Sequence, residues 1–419
     1  MNFYEEYIIK LQKRIKKIDE DPDPAKLKSN KLRYELEIET TKKQLEAWQQ
    51  GRPFSDGGSA TAAILTLAMG FAPMGSVGPA FQTATPQKYL ERARALGLPV
   101  DKSCDMTMMP FAMMECGDVP MEDVAICDHH CCTPMMLRGI YVSHSSKTMT
   151  YYIDRGVEEN EATLKYVTDQ LGEFIEWAEK KFPGVIKYDE DKLIEMQSYS
   201  DASRPILDEI HEMIKHKPSP VSGRGGGGGP GGATSAKGLE LLRARRDEIA
   251  ERFEKGIAAV PGEKLRVLWC GVTNPVFMDP YKVLAKWGIA TPLGLGGGTW
   301  GRMQRGVGFW GTRKLTPLEK VAARSISDYR GGLGSIYVDE IVWLAKDLQA
   351  DAVIHYNMRG CTAALGLRKM VEDRIEEELG IPTLQLEGAQ WDTSYASEAQ
   401  ITAKLDEFSQ MLLSQRDLT

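Results

Sequence analysis

The chain has 419 residues, and 52 Lys+Arg against 59 Asp+Glu give a formal charge of −7. That balance excludes a general binder of nucleic-acid backbone, which needs a basic face, while 42% apolar and 26% charged residues are the proportions of a soluble globular protein. Length predicts two or three domains.

Met1-Asn2-Phe3-Tyr4-Glu5-Glu6 has neither the basic region nor the apolar stretch of a signal peptide, so the expected location is the cytoplasm. Residues 1–50 are charged and helical in pattern, with Leu32, Leu36, Leu45 and Trp48 as contacts and Asp21-Pro22-Asp23-Pro24 as a break, which predicts a helical arm. The uncharged stretch Gly57 to Gln87 is densely apolar only from Ala60 to Met74, too short for a bilayer span, and predicts a buried helix stopped at Gly70 and Pro73. Residues 51–214 read as an N-terminal α/β domain with strands Asp123 to Cys127 and Met149 to Ile153. In it Leu164, Val167, Leu171, Phe174, Ile175 and Ala178 form one face of a helix. Residues 215–238, with Gly225 to Gly229 in a row, read as a flexible loop.

Residues 239–419 alternate helix and strand: helix Leu239 to Lys255, strand Leu265 to Cys270, helices near Pro280 to Trp287 and Ile336 to Leu348, strand Ala352 to Tyr356, helix Thr362 to Leu379, strand Thr383 to Leu386 and helix Glu398 to Leu413. Leu367, Val371, Ile375 and Leu379 recur at i+4 before a Gly380 stop, and Ile401, Leu405, Phe408 and Leu412 mark the last helix. This alternation predicts an α/β protein with doubly wound parallel sheets, whose sites form at the carboxyl ends of strands.

Of seven cysteines, Cys104, Cys116, Cys127, Cys131 and Cys132 fall within 29 positions, and Cys270 and Cys361 stand alone. Cys131 and Cys132 follow one expected strand, and Cys361 lies five residues beyond Tyr356 at an expected helix start, where positive potential favours thiolate. An iron–sulfur cluster, a zinc site and unligated buried thiols all fit this spacing.

Four stretches add to it: Leu98-Pro-Val-Asp-Lys-Ser-Cys104; Pro120-Met-Glu-Asp-Val-Ala-Ile126 leading to Cys131; Pro218-Ser-Pro-Val-Ser-Gly223; and Arg359-Gly-Cys361 followed by Gly380-Ile-Pro-Thr-Leu-Gln-Leu-Glu387-Gly388. On these the sequence resembles the 2-hydroxyacyl-CoA dehydratase and benzoyl-CoA reductase family. The pattern Cys131-x-Thr133-x-Met135 and the N-terminal arm look nearest to benzoyl-CoA reductase B-type subunits. The resemblance implies two Rossmann-like domains with a 4Fe-4S cluster between them. Cys104, Cys131 and Cys361 would be the ligands, Cys132 would compete with Cys131, and one iron would stay open. It also implies one-electron reduction of an acyl-CoA thioester to a ketyl radical anion, with a homologous second subunit or a homodimer. A separate ATP-hydrolysing iron–sulfur activator would supply the electron. No G-x4-G-K-[ST] sequence is present, so no bound nucleotide is expected in this chain. No nucleic-acid or membrane partner is expected.

Three extra cysteines, Cys116, Cys127 and Cys132, invite the double-cubane reading, but the loop Gly294 to Gly301 lacks the cysteine those relatives carry. A second alternative is an electron-relay or scaffold subunit without substrate. His129 and His130 beside Cys131 are candidate proton donors, or surface and packing residues. Gly296, Gly297 and Gly298 with Arg302 or Arg305 are candidates to cradle a CoA phosphate, or form a plain tight turn. Eight methionines between Met106 and Met136 read as adaptable packing, a few of them shaping an acyl pocket. Ala389-Gln390-Trp391-Asp392 replaces the acidic residue usual after Glu-Gly in the family, which bears on substrate preference.

Overall fold

The computed structural model describes residues 2–55, 60–73, 85–100, 102–127, 148–156, 158–223, 232–271, 274–295, 310, 313–327, 334–361 and 365–416. Two parallel sheets organise it, each in its own unit: Met1–Gln12, Leu36–Asp201 and Trp300–Ile336 form the first, Lys13–Glu35, Ala202–Thr299 and Tyr337–Thr419 the second. The expected α/β class with two parallel-sheet domains is what the chain adopts.

The N-terminal helices run over Phe3–Lys17 and Asn30–Gln49, and the Asp-Pro-Asp-Pro break lies between them. On the second helix Asn30, and then Thr41, Gln44 and Ala47, spaced by three, are the covered residues, whereas Leu32, Leu36, Leu45 and Trp48 are only partly covered. The reason is local: Ala47 and Trp48 pack on Phe54 and Ala72, and Gln44 Nε2 reaches the Pro73 carbonyl at 3.3 Å.

In the first unit, strands β1 (Phe54–Ser55), β2 (Ala72–Pro73), β3 (Val124–Cys127) and β4 (Met149–Tyr152) are ordered β2-β1-β3-β4, all parallel. In the apolar segment after β1 the helix spans Ala60–Ala68, and the chain turns through Gly70 at φ +92° before β2. Helix Glu161–Lys181 starts at Asn160, whose side chain accepts the Thr163 N–H, and buries the six residues predicted from their spacing. Pleat alternation sends Val124 and Ile126 into a core shared with Leu65, Phe174 and Leu171. Val321, Ala322, Ala323 and Ile326 of the helix Pro317–Ile326 join that core. A capping box between Thr316 and Glu319 fixes where this helix begins.

In the second unit, β5 (Leu265–Cys270), β6 (Ile289–Ala290), β7 (Gly294–Leu295), β8 (Ala352–Met358) and β9 (Thr383–Gly388) are parallel in the order β6-β5-β8-β9, and β7 also pairs with β5. One sheet face, with Val267, Trp269, Ile354 and Tyr356, packs on the helices Pro280–Ala285 and Glu398–Arg416. On the other face Arg266, fully buried, binds Glu263 at 2.6 Å and donates to the carbonyls of Lys215 and His216 just past the helix Glu190–Ile214. A cation is favoured at a helix C-terminus. Glu263 also accepts the Ser219 N–H at 2.6 Å, and Gly223 N–H donates to the Thr291 carbonyl, so the Pro218 to Gly223 stretch is built into this unit. The glycine run that follows lies outside the described residues. Gly380, at φ +64°, ends the helix Arg368–Leu379 as its sequence predicted. Among the described residues no helix is long and apolar enough to cross a membrane.

The carboxyl ends of β5, β8 and β9 meet at Tyr356. A Cβ on Gly271 would lie 2.5 Å from the Tyr356 carbonyl oxygen, and one on Gly388 would lie 2.0 Å from its hydroxyl. Gly271→Ala and Gly388→Ala should therefore each lower stability by on the order of 2 kcal/mol or more. Gly380→Ala, with nothing within 4 Å of the added methyl, should cost only about 1 kcal/mol for its left-handed backbone. Urea unfolding of the three variants checks the ranking, and a Gly388→Ala protein as stable as Gly380→Ala would refute it.

Candidate functional site

Cys104 is the N-cap of the helix Asp105–Glu115, buried at 5% exposure in the first unit. Its carbonyl accepts both the Thr107 N–H at 3.2 Å and the Thr107 hydroxyl at 2.9 Å, while its side chain makes no capping hydrogen bond. The sulfur thus stands at the positive end of a helix dipole without capping it, a position suited to an anionic sulfur or an anionic group held by it. Asp105 and every residue from Thr107 to Met114 are buried, so this is a core helix; Met108, Met109, Met113 and Met114 fill the space around it.

Cys116 is the C-cap of the same helix. Twelve residues of helical rise separate it from Cys104 by about 18 Å, so the two cannot ligate one cluster. Cys127 ends β3 and is buried. Cys270 ends β5 at 0% exposure, its thiol 3.5 Å from the Ile354 carbonyl, and burial pushes that thiol far above its ordinary range. Cys270 is therefore a structural thiol.

Cys361 lies in the second unit. β8 extends to Met358, so Cys361 follows the strand by three residues rather than five, after Gly360 at φ +74°. Its N–H donates to the Met358 carbonyl at 3.0 Å and its own carbonyl accepts the Leu365 N–H at 3.0 Å, ahead of the helix Arg368–Leu379. Cys104 and Cys361 share one feature, a carbonyl that accepts a backbone N–H farther along the chain, from Thr107 and from Leu365. His129, His130, Cys131, Cys132, Gly296, Gly297, Gly298 and Arg302 lie outside the described residues. Among the described residues no three His, Cys, Asp or Glu side chains come together as a metal site.

The sequence reading missed two polar groupings in the second unit. Beside the Cys361 turn, Arg359 lies over the Tyr395 ring at 4.7 Å, Tyr395 donates to Glu387 at 3.2 Å, and Glu387 pairs with Arg368. Burial first, then the neighbouring Glu387 carboxylate, holds the Tyr395 phenol above its usual value. Two-residue alternation, which sets Gln385 and Glu387 on one face of β9, was the available signal.

The second grouping is inside β8, where His355 has 0% exposure. Its Nε2 accepts from the Tyr337 hydroxyl at 3.0 Å and its Nδ1 donates to Gln385 Oε1 at 3.2 Å, while Asn357 Nδ2 donates to the same oxygen at 2.8 Å. A lone polar residue in the apolar run Ala352-Val-Ile-His355-Tyr356 was its signal.

The comparisons with known proteins bear on these positions. The family described as 2-hydroxyglutaryl-CoA dehydratase, D-component, matches residues 60–412. The chain belongs to that family. It is similar to the (R)-phenyllactyl-CoA dehydratase alpha subunit of Clostridium sporogenes, 24% identical over 351 residues that cover 79% of this chain and 82% of the relative. It is also similar to the (R)-2-hydroxyglutaryl-CoA dehydratase alpha subunit of Acidaminococcus fermentans, 23% identical over 301 residues that cover 68% of this chain and 60% of the relative. Cys104, Cys116, Cys127 and Cys361 all fall within the stretch matched to the dehydratase D-component family.

Burial lowers the pKa of His355 from 6.5 to about 4. The unfolded chain takes up this proton as pH falls through 6.5, whereas the folded chain resists until about 4. Its contribution to stability is thus complete above pH 6.5, falls by roughly 3 kcal/mol toward pH 4 and changes no further below. Unfolding measured across this window should show a pH slope larger by one proton in wild type than in His355→Gln; equal slopes would contradict it.

Proposed function

We propose that this chain is a subunit of a 2-hydroxyacyl-CoA dehydratase-type enzyme that acts on an acyl-CoA and holds a 4Fe-4S cluster through Cys104, Cys131 and Cys361. The observation that carries the reading is the family match over residues 60–412. Both relatives named above are, by name, alpha subunits of dehydratases of CoA thioesters with a 2-hydroxyacyl group. A second subunit therefore belongs to the proposal, as does a separate ATP-hydrolysing activator as the electron source. The two described ligand positions fit the group: Cys104 stands at the start of a helix, where an anionic sulfur is stabilised, and Cys361 follows the end of β8 at the carboxyl edge of the second sheet.

When bound, the cluster supplies one low-potential electron and an open iron that polarises the thioester carbonyl. The chain's own residues do the rest. The buried helix Asp105–Glu115 fixes Cys104, and its methionines provide an adaptable apolar lining. His129 and His130 are the proposed proton donors for the departing hydroxyl. Gly296, Gly297, Gly298 and Arg302 are the proposed contacts for CoA phosphate.

Anaerobically purified protein should contain about four irons and four sulfides per chain. Cys361→Ser and Cys104→Ser should each lose most of that iron, and Cys116→Ser and Cys270→Ser should keep it. Stoichiometric zinc without broad visible absorption would overturn the cluster reading, and about eight irons would favour a double cubane instead.

With a reduced activator and a partner subunit, a 2-hydroxyacyl-CoA should be dehydrated and should perturb the cluster's electron paramagnetic resonance spectrum. Reduction of an aromatic acyl-CoA in place of dehydration would move the assignment to the benzoyl-CoA reductase branch. A spectrum indifferent to every acyl-CoA would leave the chain an electron relay.

A further inference from the structure

The turn that carries Cys361 is held at both of its ends by the end of β9. Two residues before the cysteine, the Arg359 N–H donates to the Gly388 carbonyl at 2.8 Å, and its guanidinium lies 4.7 Å from the centre of the Tyr395 ring. Seven residues after it, Arg368 opens the following helix, pairs with the Glu387 carboxylate and accepts the Gln385 side-chain N–H on its carbonyl at 3.1 Å. Tyr395 closes the set by donating its hydroxyl to the other Glu387 oxygen at 3.2 Å. The two oxygens of one carboxylate therefore reach both flanks of Cys361, directly to Arg368 and through Tyr395 to Arg359.

We propose that Glu387 is a positioning residue for Cys361, fixing the turn that presents this sulfur to an iron–sulfur cluster. The proposal rests on the reading of Cys361 as a ligand. Thermodynamics separates this role from a merely stabilising one. The Arg368 and Glu387 side chains are each 41% exposed, and an ion pair in that setting contributes about 0–1 kcal/mol to folding. Groups that orient a metal ligand have a different scale, changing metal affinity or activity by about tenfold to a hundredfold when removed. Glu387 should therefore matter little to folding and much to the retained metal. Register reinforces the point: Glu387 stands opposite Asn357 and Gly388 opposite Met358, so the carboxylate and the start of the Cys361 turn share one sheet edge.

The test uses the full-length, cluster-loaded protein under anaerobic conditions and compares wild type with Glu387→Gln, Glu387→Asp and Tyr395→Phe. Iron release to a ferrous chelator should be about tenfold faster in Glu387→Gln, with an altered spectrum of the reduced cluster and an unchanged thermal midpoint. Glu387→Asp should recover part of the retention, and Tyr395→Phe, which loses one hydroxyl, should move release in the same direction by less. Wild-type release and spectra in Glu387→Gln and Tyr395→Phe, in a protein whose Cys361→Ser variant loses its iron, would overturn the proposal and leave the ligand reading standing. A Cys361→Ser variant that keeps all its iron would overturn both. Faster release that only follows a lowered thermal midpoint would also overturn it, because the carboxylate would then act on the fold and not on the ligand.

Discussion

The second sheet depends on one residue having no room to move, at its backbone or at its ring. Tyr356 is fully buried on β8, with Gly271 beyond β5 on one side and Gly388 at the end of β9 on the other. Both neighbours approach so closely that only hydrogen fits in place of a side chain. The Tyr356 hydroxyl donates to the Ala389 carbonyl at 2.8 Å, and the ring stacks on Trp269 at 5.6 Å. Three adjacent strands thus end at a fixed level, and the chain leaves the middle one through Arg359, Gly360 and Cys361. In a parallel sheet the carboxyl edge is where sites form; here that edge is set by close packing, which is stiff, and not by a loop, which is soft.

Legibility in the sequence followed how local the determining physics is. Helix Glu161–Lys181 was readable because six apolar residues at helical spacing reflect one buried face, and the stop at Gly380 because a left-handed residue there has few alternatives to glycine. β5 was readable end to end since five apolar residues in a six-residue run bounded by turns mark a buried strand, even with Arg266 among them. The assignment of the helix Pro317–Ile326 to the first unit's core was not legible, for its capping box and apolar face say that a helix exists and nothing about which sheet it covers. The Glu387 grouping was hidden for a related reason. Arg359, Arg368, Glu387 and Tyr395 have no mutual spacing that marks them, and only the pairing of β8 with β9 brings them together.

The cysteines show where clustering in sequence misleads. Five fall within 29 positions, yet the helix between Cys104 and Cys116 sets those two about 18 Å apart, one at its positive end and one at its negative end. Position on the backbone, more than sequence proximity, decides which thiol can serve a cluster. Cys270 illustrates the opposite limit. It has a place at a strand end, as Cys361 nearly does, but lies within the ladder with its thiol turned to the Ile354 carbonyl, and burial keeps it protonated. Three residues beyond the strand, past a left-handed glycine, Cys361 instead lies outside the ladder, its carbonyl accepting the Leu365 N–H.

Two kinds of fixing therefore meet at one sheet edge, and their energies differ in kind. The Tyr356 packing is buried and has no tolerance, so changes there are paid in folding. The Glu387 grouping is half exposed, so it adds little to folding and its effect is confined to the placement of nearby atoms. Such a division leaves the strand ends rigid while the surroundings of the Cys361 turn can be altered without loss of the fold. His355 and its partners extend the rigid part through the other face of β8, where a neutral imidazole bridges Tyr337 and Gln385. Gln385 in turn donates to the Arg368 carbonyl, at the start of the helix that Glu387 grips by its side chain. The buried network thus holds the backbone of Arg368 and the exposed one its guanidinium, so the helix after Cys361 is registered twice, once by a contact that folding requires and once by a contact that the site can vary.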